Sequence, residues 1–180
     1  MIFSPSPVLP DVIILQPHVH ADKRGYFMET YHQKEFAAGG IDRAFIQDNQ
    51  SMSAIGTIRG LHYQIQRPQG KLVRVIYGEV FDVSVDIRRS SPNFGRWFGI
   101  RLSAENKKAV YVPPGFAHGF CVLSEGAEFF YKCTDFYAPE FERAIRWDDP
   151  DLAIAWPTRD PVLSEKDAAA PYLSDAELPS

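Results

Sequence analysis

Apolar and polar residues alternate along most of this chain in short runs, and turn-forming residues separate the runs. A two-residue period of this kind predicts β-strands with one buried face. Asp11–Leu15 (DVIIL) reads as a first strand, and Gly25–Tyr31 (GYFMETY) as a second after a turn at Ala21–Arg24. Gln33–Ala38 is the one early helical stretch, and Gly39-Gly40 stops it. Ala44–Asn49 and Thr57–Gln64 follow as strands. The strongest run, Lys71–Tyr77 and Glu79–Ile87, breaks at Gly78 in the manner of a hairpin. In its second arm Phe81, Val83, Val85 and Ile87 share a face, which is expected to be core. Asp82, Ser84 and Asp86 share the other, facing solvent or an interior polar cavity.

Trp97–Leu102, Ala109–Val112, Phe116–Leu123 and Ala127–Thr134 continue the rhythm, with turns at Ser91-Pro92-Asn93, Pro113-Pro114-Gly115 and Glu125-Gly126. Evenly spaced short strands predict a mainly β sandwich or jelly-roll barrel. After Pro139 the pattern loosens into short helical pieces and prolines, a tail expected to wrap the barrel. No repeat, linker or low-complexity segment divides residues 1–180, so one domain is expected.

Composition narrows the function classes. A formal net charge of −4 argues against general binding to nucleic acid or membrane surfaces, while leaving room for a local cationic pocket. The N-terminus lacks the features of a signal peptide, and no run is long enough to span a bilayer. Cys121 and Cys133 are isolated in strand-like runs, which predicts two buried free thiols and a cytoplasmic setting.

The candidate chemistry centres on Arg59–Gln64 (RGLHYQ). Pro113–His118 has the P-x-G-x-x-H spacing of the second cupin half-motif, but the first needs His-x-His, and His62 is followed by Gln64. His18-Val19-His20 has the spacing without a matching acid. With ligands missing, no metal is expected. His62 alone could be a satisfied core histidine. With Arg59, Lys71 and Asp82 nearby in the pattern, a general base is favoured, since a core does not gather unpaired charges. Strict alternation puts Arg59 and His62 on opposite faces, so both can serve one site only if Gly60 allows a bulge. Tyr131 reads equally as a proton donor or as a core aromatic sharing a face with Phe129 and Cys133. Asp167 reads equally as a site acid or as the third residue of a helix capped by Ser164. Arg24, Arg59, Lys71, Arg143 and Lys166 are each explained as solvated surface charges, yet arginine's planar fork suits a diphosphate.

Taken together, the stretches DVIIL, DKRGYFMETY, FIQDNQS, IRGLHYQ, QGKLVRV, GEVFDVSVDIR, PPGFAHGF, FFYK and LSEKDAAAP closely resemble the dTDP-4-dehydrorhamnose 3,5-epimerase family, nearly end to end. The resemblance implies a cupin-type jelly-roll barrel with a few short helices, mostly in the C-terminal tail. It implies epimerisation at C3 and C5 of a dTDP-4-keto-6-deoxyhexose, without a cofactor, in a homodimer. By the same resemblance His62 is the base, Asp167 its carboxylate partner, Tyr131 the acid, and Lys71 the cation beside the C4 oxygen. Asp82 is a further polar site residue. Arg24, Glu29, Gln47, Asp48, Asn49, Arg59, His118, Glu142 and Lys166 match nucleotide-binding positions, with Arg59 on the pyrophosphate and Tyr137 stacked on the thymine. A mono-epimerase or ketoisomerase on the same sugar, a non-catalytic nucleotide-sugar module and a metal-dependent cupin are the competing readings.

Overall fold

Strand pairing in the computed structural model, which describes residues 1–179, follows the alternation read from the sequence. The strands are β1 (Ile2–Pro5), β2 (Ile13–Gln16), β3 (Val19–Asp22), β4 (Gly25–Met28), β5 (Gln47–Ala54), β6 (Ile58–Gln64) and β7 (Lys71–Tyr77). They continue as β8 (Glu79–Asp86), β9 (Trp97–Ser103), β10 (Ala109–Val112), β11 (Phe116–Val122), β12 (Gly126–Cys133) and β13 (Glu142–Ala144). Helix α1 spans Gln33–Ala38 and α2 Glu165–Ala168, with a 3-10 turn at Pro139–Phe141. No helix among the described residues is long and apolar enough to cross a membrane.

Two antiparallel sheets face each other, in the orders β1-β2-β10-β7-β12-β5 and β13-β6-β11-β8-β9. This is the cupin-type jelly roll. Val73, Val75, Val80, Leu102, Val110, Phe120, Val122 and Phe129 fill the space between them. Each such side chain contributes about 1.5–3 kcal/mol when fully buried. The pair β3–β4 projects separately as a two-stranded hairpin.

Both sheets are also covered from outside. Helix α1, which ends at Gly39 as expected, lays Phe36 beside Leu15, Leu72 and Tyr111. On the second sheet, Leu61, Tyr63, Val83, Val85 and Ile87 pack under Ile145, Leu152, Leu173 and Ala176 of the tail. The C-terminal segment therefore wraps the barrel, as its loosened pattern predicts. The other face of β8 turns inward, so Asp82, Ser84 and Asp86 are all at most 1% exposed and reach no solvent.

Several expectations change. β7 and β8 do not pair, so the Gly78 break is no hairpin: β7 joins β10 and β12, while β8 joins β11 and β9. A single residue is too short for a hairpin turn, which needs about two. Gly78 instead carries the chain from one sheet to the other at φ 76°, where a Cβ would lie 2.1 Å from the Gly126 carbonyl oxygen. The second predicted strand stops at Met28, and the Ala44–Asn49 strand lies at Gln47–Ala54, because continuous pairing with β12 sets its limits. β1, β3 and β13 lie outside the sequence reading. The Pro/Ser-interrupted start hides the first, and at three residues the last is too short to show a period. Cys121 and Cys133 are buried and unbridged.

Candidate active site

A cavity of about 360 Å³ opens between the sheets, lined by Gln47, Asn49, Ser51, Arg59, His62, Gln69, Lys71, His118, Phe129, Tyr131, Tyr137 and Glu142, among others. Alternation explains much of this lining. On β5, Gln47, Asn49 and Ser51 point in, while Asp48 and Gln50 point out to Lys132 and Glu128. On β12, Phe129 and Tyr131 point in.

Arg59 and His62 break the alternation, through a bulge. His118 on β11 pairs with His62 and Phe120 with Arg59, so three steps along β6 match two along β11. The extra residue sits at Gly60, whose φ is 129° and whose Cβ would lie 2.5 Å from the Gly119 Cα. Only glycine fits there without displacing backbone. Both side chains reach the cavity as a result.

Four electrostatic features mark the site. The first is a dyad: His62 Nε2 lies 2.5 Å from Asp167 Oδ1. An ionised carboxylate only accepts, so Nε2 carries the hydrogen and Nδ1 is left to take a proton. Burial pushes the Asp167 pKa up, but the His62 hydrogen bond and charge, the Ser164 hydroxyl and Lys166 outweigh it and hold it below the usual value. Asp167 also takes the capped-helix position, its N–H donating to Ser164 Oγ at 3.1 Å. The two readings of Asp167 are thus compatible.

The second is Lys71, whose pKa desolvation pulls down against the opposing charges of Cys133, Glu142 and Asp82. Its ammonium forms no ion pair within 4.0 Å among the described residues. A desolvated, unpaired cation is poised for an anionic ligand oxygen. The third is Tyr131, whose phenol burial pushes up, so it stays protonated at neutral pH. The fourth is a second dyad, with His118 Nε2 2.9 Å from Asp82 Oδ2.

At the mouth, Tyr137 Oη donates to Glu142 Oε2 at 2.7 Å, and Lys166 donates to the same oxygen. Tyr137 is pushed up to about 12, chiefly by that hydrogen bond. Arg59 Nε donates to Ser53 Oγ at 2.9 Å.

Not every expected residue lines the cavity. Asp48 faces outward, because its even place in β5 opposes that of Gln47 and Asn49. Arg24 and Glu29 are exposed on and beside the β3–β4 hairpin, where Arg24 pairs with Asp22 at 2.6 Å. Asp82 stands behind His118, and Asp167 and Lys166 line an adjoining cavity of about 430 Å³ that also touches His62 and Arg59. Gln69 and Ser51 line the main cavity without being singled out in the sequence. Gln69 lies in a turn that carries no periodic signal; Ser51 follows from the β5 alternation once that strand's limits are known. Gln64, at the missing cupin ligand position, spends its amide on Arg67 O and the Ala138 N–H.

A jelly-roll barrel holding two histidine–carboxylate dyads, a desolvated ammonium and a buried phenol on one cavity is a cupin scaffold equipped for acid–base chemistry on an anionic ligand. The family described as dTDP-4-dehydrorhamnose 3,5-epimerase matches residues 7–175, and the chain belongs to it. An epimerase of that name from Pseudomonas aeruginosa is 59% identical over 171 residues, 94% of each chain. The Legionella pneumophila epimerase, solved with dTDP-4-keto-L-rhamnose, superposes with a TM-score of 0.95 at 49% identity, covering 98% of this chain and 96% of that one. A 3'-monoepimerase from Streptomyces bikiniensis, solved with dTDP-quinovose, has a TM-score of 0.88 at 35% identity, covering 95% and 87%.

Proposed function

We propose that this protein epimerises C3 and C5 of dTDP-4-dehydro-6-deoxy-D-glucose, giving dTDP-4-dehydro-L-rhamnose for dTDP-L-rhamnose synthesis. The observation that carries the reading is the convergence of the His62–Asp167 dyad, the unpaired Lys71 ammonium and the protonated Tyr131 on one cavity. Binding alone needs no acid–base set.

A C–H beside a ketone becomes acidic only when the enolate oxygen is stabilised. Lys71 supplies that stabilisation at the C4 oxygen. His62 Nδ1 removes the proton, and Asp167 stabilises the imidazolium that results. Tyr131 then returns a proton to the opposite face of the carbon, inverting it. The ketone is the electron sink, so no cofactor enters. C3 and C5 both flank C4, so the same pair acts twice on a repositioned sugar. Arg59 meets the diphosphate, His118, Gln47 and Asn49 hold the sugar nucleotide, and Tyr137, Glu142 and Lys166 close on the base. Residues 1–180 work as one catalytic unit in the cytoplasm, where free buried thiols stay reduced.

Incubation with the dTDP-4-keto-6-deoxy sugar in D2O, followed by NMR, decides between the readings. Deuterium is expected at C3 and C5. Label at one carbon makes the protein a mono-epimerase, and absence of label ends the enolate mechanism.

The active form is a homodimer. Strand β5 is an unpaired sheet edge beside the cavity, and the hairpin carrying Arg24 exposes Phe27 at 71% and Tyr26 at 57%. Exchange of such hairpins between copies lets Arg24 and Glu29 reach the neighbouring site, in keeping with their exposure outside the lining of their own cavity. Light scattering is expected to give twice the 20.4 kDa chain mass; a monomeric, fully active protein contradicts this.

A further inference from the structure

Double epimerisation leaves a debt of one proton at mid-reaction. After the first inversion His62 is an imidazolium and Tyr131 a phenolate. His62 cannot abstract again, nor Tyr131 donate again, until one proton has moved from the first to the second. With the sugar seated, something inside the cavity must accept it.

Resting on the function proposed above, we propose that the His118–Asp82 dyad is the station that discharges His62 between the two inversions. His118 and His62 are direct partners across β11 and β6. Opposed side chains on paired antiparallel strands stand about 5 Å apart at Cβ. Both imidazoles line the cavity, and each gives Nε2 to a carboxylate, so each keeps Nδ1 for proton traffic.

The other polar groups of the cavity do not suit the task. Arg59 is a donor only, Lys71 is committed to the C4 oxygen in the proposed mechanism, and Glu142 is taken up by Tyr137 and Lys166. His118 is 6% exposed and Asp82 1%, so the dyad is built into the cavity wall and meets solvent only through the cavity. Asp82 also has unused capacity: among the described residues its buried Oδ1 has no hydrogen-bond partner. A bare buried carboxylate oxygen is costly while His118 is neutral, and it is compensated when an imidazolium forms beside it.

The balance is complete without a co-reactant. An N–H bond on His62 breaks as one forms on His118 Nδ1. That bond later breaks as the O–H of Tyr131 re-forms through cavity water, which in D2O replaces the proton with a deuteron before the second donation. The Phe129 ring, 6.1 Å from both the His118 and Tyr131 rings, puts donor and final acceptor on neighbouring parts of the wall.

The test is single-turnover exchange in D2O with enzyme in excess, giving separate rate constants for the first and second carbons labelled. For His118→Asn and for Asp82→Asn, the ratio of second to first constant is expected to fall at least about tenfold, with singly labelled mono-epimer released. With enzyme in saturating excess any mono-epimer that leaves is recaptured, so weaker binding or partial unfolding lowers both constants together. Added imidazole is expected to restore the second constant selectively in His118→Gly. Equal loss of both constants, an unchanged ratio, or no selective rescue overturns the relay. If the wild type labels only one carbon or none, the function proposed above fails instead, and that failure is read from the wild type alone.

Discussion

Replacing His62 by asparagine is expected to slow deuterium exchange at both carbons by about 10³-fold, within the range that a positioned general base supplies. Asparagine keeps a polar side chain, shorter than the imidazole, but cannot take a proton at neutral pH. The change also leaves Asp167 without its imidazole partner at 4% exposure, with Ser164 and Lys166 as its remaining support. Affinity for dTDP is expected to change only a few-fold, because the proposed diphosphate and base contacts are those of Arg59, Tyr137, Glu142 and Lys166. Exchange by NMR and dTDP binding by calorimetry check the two halves separately. Wild-type exchange in this variant would remove His62 as the base.

Lys71→Met is expected to separate activity from stability in opposite directions. The ammonium is desolvated and unpaired in the free protein, so removing it relieves an unfavourable burial. Methionine has nearly the same shape and adapts to the space. The melting temperature is therefore expected to hold or rise. The turnover number is expected to fall about 10²–10³-fold, the usual loss when a preorganised oxyanion partner is removed. Such a trade is characteristic of sites held ready for a charge that arrives only with substrate. Thermal melting and steady-state kinetics on one preparation measure both effects. A fall in stability matching the fall in activity would make Lys71 a structural cation.

How far the site was legible depends on the range over which each residue acts. Local signals read well. Gly39 stops α1 where expected, and Ser164 caps α2 over Asp167. Alternation along β12 foretells that Phe129 and Tyr131 share the interior. Alternation along β5 also has the information to turn Asp48 away from Gln47 and Asn49, whereas the family pattern carries the whole QDN stretch as one. Long-range facts have no local signal. The His62–Asp167 contact joins residues 105 positions apart, and only the docking of the tail brings them together. Gly78 reads locally as a turn, yet whether it turns within a sheet or between sheets is set by β10 and β12. Gly60 lies between: alternation requires an irregularity there, and the close approach of Gly119 fixes what kind.

The wrapping tail has a further consequence for how activity is acquired. Asp167 belongs to the segment that follows every barrel strand, and the tail's Leu152, Leu173 and Ala176 seal the outer face of the sheet whose inner face carries His62 and His118. In N-to-C synthesis the carboxylate that pairs with His62 is therefore made after the last barrel strand. Under the proposed mechanism catalytic competence follows completed folding, and a nick in the segment before α2 is expected to cost activity as it loosens the cover over the second sheet.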